Sequence, residues 1–224
     1  MTASATGLDR SAAITRSLLG WGVVAGPFYV VVGLVLALTR PGFDLSRHAL
    51  SLLSLGDLGW LQRGNLAVTG LMIIAAALGV LRAIRNGRGL AIGTLTALDG
   101  VALVLSAVFV PDPATGFPPG SQGGVVTSSG ILHVAFGALG FVAIAAASVA
   151  HGIWCRSVGD PRSGTVSFVL GAVVILGFVC GAALASSPVG ITLLWLAVLA
   201  QFAWLALACA QVYRWSPHPL YALR

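Results

Sequence analysis

Lysine is absent from this chain, and charge of either sign is scarce. All twelve basic residues are arginine, six residues are acidic, and charged residues make up only 8% of 224. A chain that is 58% hydrophobic, with mean hydropathy +0.98, cannot hide its apolar surface in a soluble domain of this size. The three cysteines, Cys155, Cys180 and Cys209, are not paired by spacing. They read as small apolar residues rather than a disulfide framework. There is no contiguous H-E-x-x-H pair and no internal repeat of the kind that builds inverted-repeat transporters. A cleavable signal pattern is missing too: about sixteen polar or small residues precede a full-length span, which is expected to be retained. No stretch has the composition of a soluble domain, so one integral membrane domain is expected over 1–224.

What the chain has in quantity is long apolar runs. A helix crossing the hydrocarbon needs about 20 mostly apolar residues. Six stretches qualify, at 18–39, 65–82, 90–110, 131–154, 165–186 and 191–212. They are too long and too uniform for barrel strands, which alternate, and lipid offers no water to an unpaired strand. The fold class is therefore an all-α, polytopic bundle of six transmembrane helices. Small residues at four-residue spacing, Gly22–Gly26, Gly89–Gly93 and Gly177–Gly181, fit ordinary close packing of helices in lipid. Pro27 should kink the first span or unwind it locally. Trp21, Trp60, Trp154 and Trp215 fall near span ends, as an aromatic belt does.

Arginine sets the orientation. With six spans both termini share a side. That side holds Arg10, Arg16, Arg82, Arg85, Arg88, Arg156, Arg162, Arg214 and Arg224, and the other holds Arg40, Arg47 and Arg63. The positive-inside rule then puts both termini in the cytoplasm. The net charge of +6 is accounted for by topology and by attraction to anionic lipid heads. It calls for no nucleic-acid partner.

The polar residues gather in three places. The first outer loop reads GFDLSRHALSLLSLGDLGWLQRGN. Asp44, Arg47, His48, Ser51 and Ser54 recur every three or four positions, the period of an amphipathic helix. A short interfacial helix over 44–55 is expected, with its polar stripe toward the bundle. In such a helix Asp44 and His48 touch at i and i+4. The second outer loop reads VFVPDPATGFPPGSQGG. Prolines on both sides hold the Asp112 carboxylate in place, and His133 lies in the first turn of the next span at the same level. His48, His133 and Asp112 are thus candidate acid/base groups, and with Asp44 a candidate ligand set for zinc. The third place is mid-membrane. Asp99 sits roughly 15 Å from either end of its span, where a carboxyl is a functional candidate by default. Gln201, at matching depth in the last span, is its expected partner. Asp44, Arg47, Ser51, Asp99 and Gln201 form the candidate ligand-binding set. Haem is not expected: His133 and His151 are eighteen residues apart on one helix, about 27 Å.

The segment FDLSRHALSLLSLGDLGWLQRGNLAVTG from Phe43 to Gly70, with FVPDPATGFPPG at 109–120 and the later Gly130-Ile-Leu-His133, resembles a family of bacterial membrane proteins, domain of unknown function 998. The all-arginine, alanine-rich composition resembles its actinobacterial members. The resemblance implies a small integral protein of the bacterial plasma (inner) membrane and carries over no activity or cofactor. A likeness to the alkaline-ceramidase-like hydrolases stops at the missing H-x-x-x-H in a late span.

Three functions are compatible with these residues. The simplest is a binding or accessory protein, whose outward polar pocket holds a lipid or hydrophobic small molecule among membrane lipids. The others are a metal-assisted lipid hydrolase using the Asp/His set, and a small proton-coupled transporter using Asp99. All depend on sidedness. Cysteines introduced at Ser121 and Gly87 should be labelled by an impermeant thiol reagent from outside and from inside respectively; the reverse pattern would turn the Asp/His set toward the cytoplasm.

Overall fold

Helix starts in this chain are written by capping residues. In the computed structural model, which describes residues 9–219, five of the six long helices begin on a side chain that accepts backbone N–H bonds. The caps are Asp9, Asn86, Thr127, Asp160 and Ser187, each worth about 1 kcal/mol. Pro161 and Pro188 follow the last two caps at the first helical position, where proline has no bond to lose. The helices are α1 (Arg10–Thr39), α2 (Gly59–Ala83), α3 (Gly87–Val108), α4 (Ser128–Ser157), α5 (Pro161–Ala183) and α6 (Pro188–Trp215). All six are long and apolar enough to cross a membrane, and no strand forms among the described residues. The helices overrun most of the apolar runs because the caps lie outside them. Pro27 is carried inside an unbroken α1, so the expected unwinding does not occur. The chain is a multi-pass membrane protein: Leu38, Val31 and Leu176 are 60% or more exposed, which suits acyl chains and not water.

Each helix packs against its neighbours in sequence, and α6 closes back onto α1. The result is a ring of six. Its seams are made by small residues. A Cβ on Gly70 would lie 2.6 Å from the Gly100 carbonyl oxygen, and one on Gly100 would lie 2.7 Å from that of Gly70, so α2 and α3 touch backbone to backbone. Gly22 and Gly26 receive Cys209 and Phe202 of α6, while Gly177 and Gly181 receive the α6 backbone near Leu193 and Leu194. In lipid there is no hydrophobic drive between helices, so such close contact supplies the association.

The ring has two ends. The terminal pole carries both described termini, and arginines tie it together. Arg16 donates to the Ser216 carbonyl at 3.1 Å and lies over the Tyr213 ring. Arg82 donates to the hydroxyls of Thr15 and Ser11, each at 3.1 Å. Arg224 lies outside the described residues. Trp154 departs from the belt expectation: it is 2% exposed and packs edge-on to Trp215, because α4 turns that face inward. Trp21, Trp60 and Trp215 remain exposed.

The loop pole is closed by a cap made of both long loops. The expected continuous helix over 44–55 does not form. Residues 44–48 make one turn, in which the His48 amide donates to the Asp44 carbonyl at 2.8 Å. The backbone then extends at Ala49 and restarts as a 3-10 helix at Leu50–Ser54. That break swings Leu50, Leu52 and Leu53 into the core and leaves Asp44 and Arg47 outside. Burial of three leucines outweighs a regular polar stripe.

The backbone contact between α2 and α3 has a measurable consequence. Gly70→Val and Gly100→Val should each destabilise the protein by about 3 kcal/mol or more, read as thermal unfolding in one detergent. Gly64→Val, where a Cβ meets nothing within 4 Å, should be close to neutral.

Candidate functional site

Below the cap the ring is hollow. A cavity of about 360 Å³ is lined by all six helices: Tyr29 from α1, Leu66 from α2, Asp99 and Ser106 from α3, His133 and Gly140 from α4, Phe178 from α5 and Gln201 from α6. Ala49, Leu50 and Ser51 of the cap form its roof. Toward the terminal pole the ring is filled by fully buried Leu19, Ile92, Ile144, Trp204 and Leu205. The volume is at the small end of ligand pockets, about 300–1,000 Å³. The walls are mostly apolar and aromatic, with few polar groups.

Two polar stations stand in it. The deep one is Asp99, 2% exposed, whose carboxyl oxygens both accept from Gln201 Nε2, at 3.3 and 3.2 Å. The expected pair therefore forms, and it faces inward. Such an interhelical bond in lipid is worth about 0.6–2 kcal/mol. Gly140 makes room for it, since a Cβ there would lie 2.9 Å from Asp99 Oδ1. The upper station is Ser106 and His133. His133 Nδ1 lies 3.0 Å from the Ser106 carbonyl and 2.8 Å from that of Phe109. Carbonyls only accept, so Nδ1 carries a proton. The Ser106 hydroxyl is buried without a partner, at a cost of about 1–3 kcal/mol.

The remaining candidates hold loops. His48 is 4% exposed. Its Nδ1 accepts from the Asp44 amide at 2.9 Å, so its Nε2 donates to the Thr115 carbonyl at 3.1 Å. Both ring nitrogens are spent on joining the first long loop to the second. The rings of Phe43, His48 and Phe117 pack tilted or edge-on to one another around that joint, and Arg40 reaches the Leu53 and Leu55 carbonyls. Asp112 accepts from the Thr127 amide at 3.1 Å and from its hydroxyl at 2.6 Å. Thr127 Oγ1 in turn accepts from Gly130, capping α4. A Cβ on Gly130 would strike the Asp112 carboxylate. Asp44 pairs loosely with exposed Arg47 at 3.7 Å. The Ser46 hydroxyl and amide, with Arg47 nearby, hold its carboxyl below the usual range. Ser51 reaches the cavity; Asp44, Arg47, His48 and Asp112 are not among its lining. Asp112 and His133 bind different backbone groups and do not bond each other. Among the described residues no group of three or more His, Cys, Asp or Glu is placed to share a metal ion.

Sequence reasoning missed several buried polar residues. Gln62, Asn65 and Thr69 form a seam on α2, with Asn65 donating to the Tyr29 carbonyl at 3.1 Å. Gln62 preceded the apolar run and so looked like loop. Ser106 lies near the end of the third apolar run, with no charged neighbour to mark it. At the terminal pole a second network runs from Trp204 Nε1 to Ser167 Oγ, 2.8 Å, and from Ser167 to the Ser148 carbonyl, 2.7 Å. His151 Nδ1 meets the same hydroxyl at 3.1 Å. Cys155 donates to Gln211, and Gln211 to Asp160. Bonds from the Ser163 amide and hydroxyl, then Gln211 and the nearby His151, hold the Asp160 carboxylate below the usual range. Cys155 is thus a buried hydrogen-bonding thiol rather than a purely apolar filler.

Comparison with known proteins adds one finding. The family model described as "Protein of unknown function (DUF998)" matches residues 23–211. No curated protein and no solved structure matches the chain.

The Asp112–Thr127 cap predicts coupled energetics. Asp112→Ala and Thr127→Val should each cost about 1–2 kcal/mol. The double variant should cost clearly less than their sum, since both remove one bonded unit. Additive losses in thermal unfolding would mean that the two residues act separately.

Proposed function

The chain belongs to the DUF998 family of proteins of unknown function, and within that family we propose that it is a membrane binding protein that takes a lipid or hydrophobic small molecule into its ring. One observation carries this reading: a cavity lined by all six helices, apolar along its walls, with its polar groups at two levels. A transmembrane bundle with no ligand to house gains dispersion energy by collapsing such a space. Here the cavity persists beneath a built cap.

Its opening supports a membrane-borne occupant. In their terminal halves α4 and α5 pack closely: Gly152 meets Phe168, and Gly171 meets Ser148. Phe141 and Phe178 stack at 4.6 Å farther up. Above that rung the cavity lining includes Val134, Ala182 and Ala185, which are exposed. The mouth therefore faces sideways between the two helices, toward lipid.

On the arginine distribution both termini are cytoplasmic, which puts the cavity in the outer half of a bacterial plasma membrane. The hydrolase and transporter readings draw less support. His48 and Asp112 have their polar atoms committed to loop backbone and cap, and buried side chains fill the ring below Asp99. Asp99 then serves as the polar floor of the cavity.

Gly137 provides the test. It lines the cavity, and a Cβ there meets nothing within 4 Å, so Gly137→Trp should fill the space without unfolding the ring. Native mass spectrometry of wild-type protein released from membranes should detect a bound small molecule, and Gly137→Trp should lose it at unchanged thermal stability. Equal occupancy in the two proteins would place any bound molecule elsewhere.

A further inference from the structure

The upper station specifies the chemistry of the head group. We propose that the cavity selects molecules with an apolar chain and a neutral hydroxyl head, one that donates a hydrogen bond to His133 Nε2 and accepts one from the Ser106 hydroxyl. This rests on the cavity being a ligand site.

The donor and acceptor roles follow from the bonds already made. His133 Nδ1 faces two carbonyl oxygens and must carry the proton there. In the neutral ring Nε2 is then an acceptor, and it makes no hydrogen bond among the described residues. Among the described residues no carboxylate forms an ion pair with it. Asp112 is bonded to Thr127, and Asp99 is seven residues from Ser106 along α3, about 10 Å deeper.

Ser106 is the more telling group. A hydroxyl inside a helix ordinarily donates to the carbonyl one turn back. Thr15, Thr39, Thr94 and Thr96 all do so here, to Ser11, Val35, Leu90 and Ile92. Ser106, 3% exposed, does not, and its Oγ is buried without any partner in a residue that lines the cavity. The bond from His133 to the Ser106 carbonyl brings the two residues to one level. Ser51, whose hydroxyl makes no hydrogen bond among the described residues, adds a third polar group from the roof.

A free donor and a free acceptor at one level fit a group that is both, and an alcohol is the smallest such group. An ether or ester offers no donor. A carboxylate offers none either, and an ammonium offers no acceptor. No arginine lines the cavity, so a charged head would be taken out of water uncompensated at this level. The tail then runs down the apolar walls toward Asp99, or out through the mouth between α4 and α5.

The test compares two probes of one chain length. Tritiated 1-dodecanol is bound to the full chain in lipid nanodiscs and displaced by unlabelled 1-dodecanol or by dodecyl methyl ether. Wild type should prefer the alcohol by about ten-fold. Ser106→Ala should shrink that preference to about three-fold or less while keeping or raising thermal stability, because it removes an unpartnered hydroxyl. His133→Phe should shrink it further. Should His133→Phe fail to fold, Ser106→Ala still decides. Equal displacement by alcohol and ether in wild type, with Gly137→Trp abolishing binding of both, would overturn the head-group assignment and leave the cavity as a ligand site. A preference that survives Ser106→Ala unchanged would overturn it as well. Dodecanol binding that Gly137→Trp leaves intact would remove the cavity reading, and this inference with it.

Discussion

Lipid cannot hydrogen-bond, and that single property of the surroundings arranges everything else in this protein. Backbone polar groups must be satisfied within each segment, so the spans are helices with their ends capped. Side-chain polar groups must find one another, so Asp99 meets Gln201 across the ring, and Asn65 reaches the Tyr29 carbonyl. Apolar residues gain little by hiding, and large ones such as Leu38 stand in the open. Helix association then depends on how closely backbones approach, which is why glycines mark the seams between α2 and α3 and between α1 and α6.

A ring closed by such seams has a middle that must be filled by something. In the terminal half it is filled by side chains, Trp204 and Leu205 among them. In the loop half the lining side chains stop short and leave a cavity. The two halves also use polar residues differently. At the terminal pole Trp204, Ser167, His151 and Ser148 satisfy one another. At the cavity Ser106 is left with an unused hydroxyl. Ser54 Oγ and Gln62 Nε2 are the other buried side-chain atoms without a partner among the described residues, and neither residue lines the cavity.

The histidines show how misleading residue type is until partners are known. His48 and His133 look alike in sequence, each near a carboxylate at the loop end of the chain. His48 has both nitrogens bonded to backbone and is a staple between loops. His133 has one nitrogen bonded to backbone and the other unbonded, and the residue lines the cavity. Asp112 and Asp99 divide in the same way, one capping α4 through Thr127 and one lining the cavity.

Hydropathy and arginine placement by themselves determined six spans and the all-helical class. Both are local: about 20 apolar residues have one low-energy form in lipid, whatever their neighbours. The depth of Asp99 and its pairing with Gln201 were also legible, because rise per residue converts sequence position directly into depth. Only the tertiary structure decided which loop residues meet. Loops are not tied to a fixed period, and the break at Ala49 rotated His48 into the joint and Asp44 out of it. It alone decided that Gln62 and Ser106 are buried, since burial at a span end depends on which neighbouring helix covers it. The cavity is likewise invisible in the sequence: an empty volume is set by the distance between helices, and no residue encodes that distance alone.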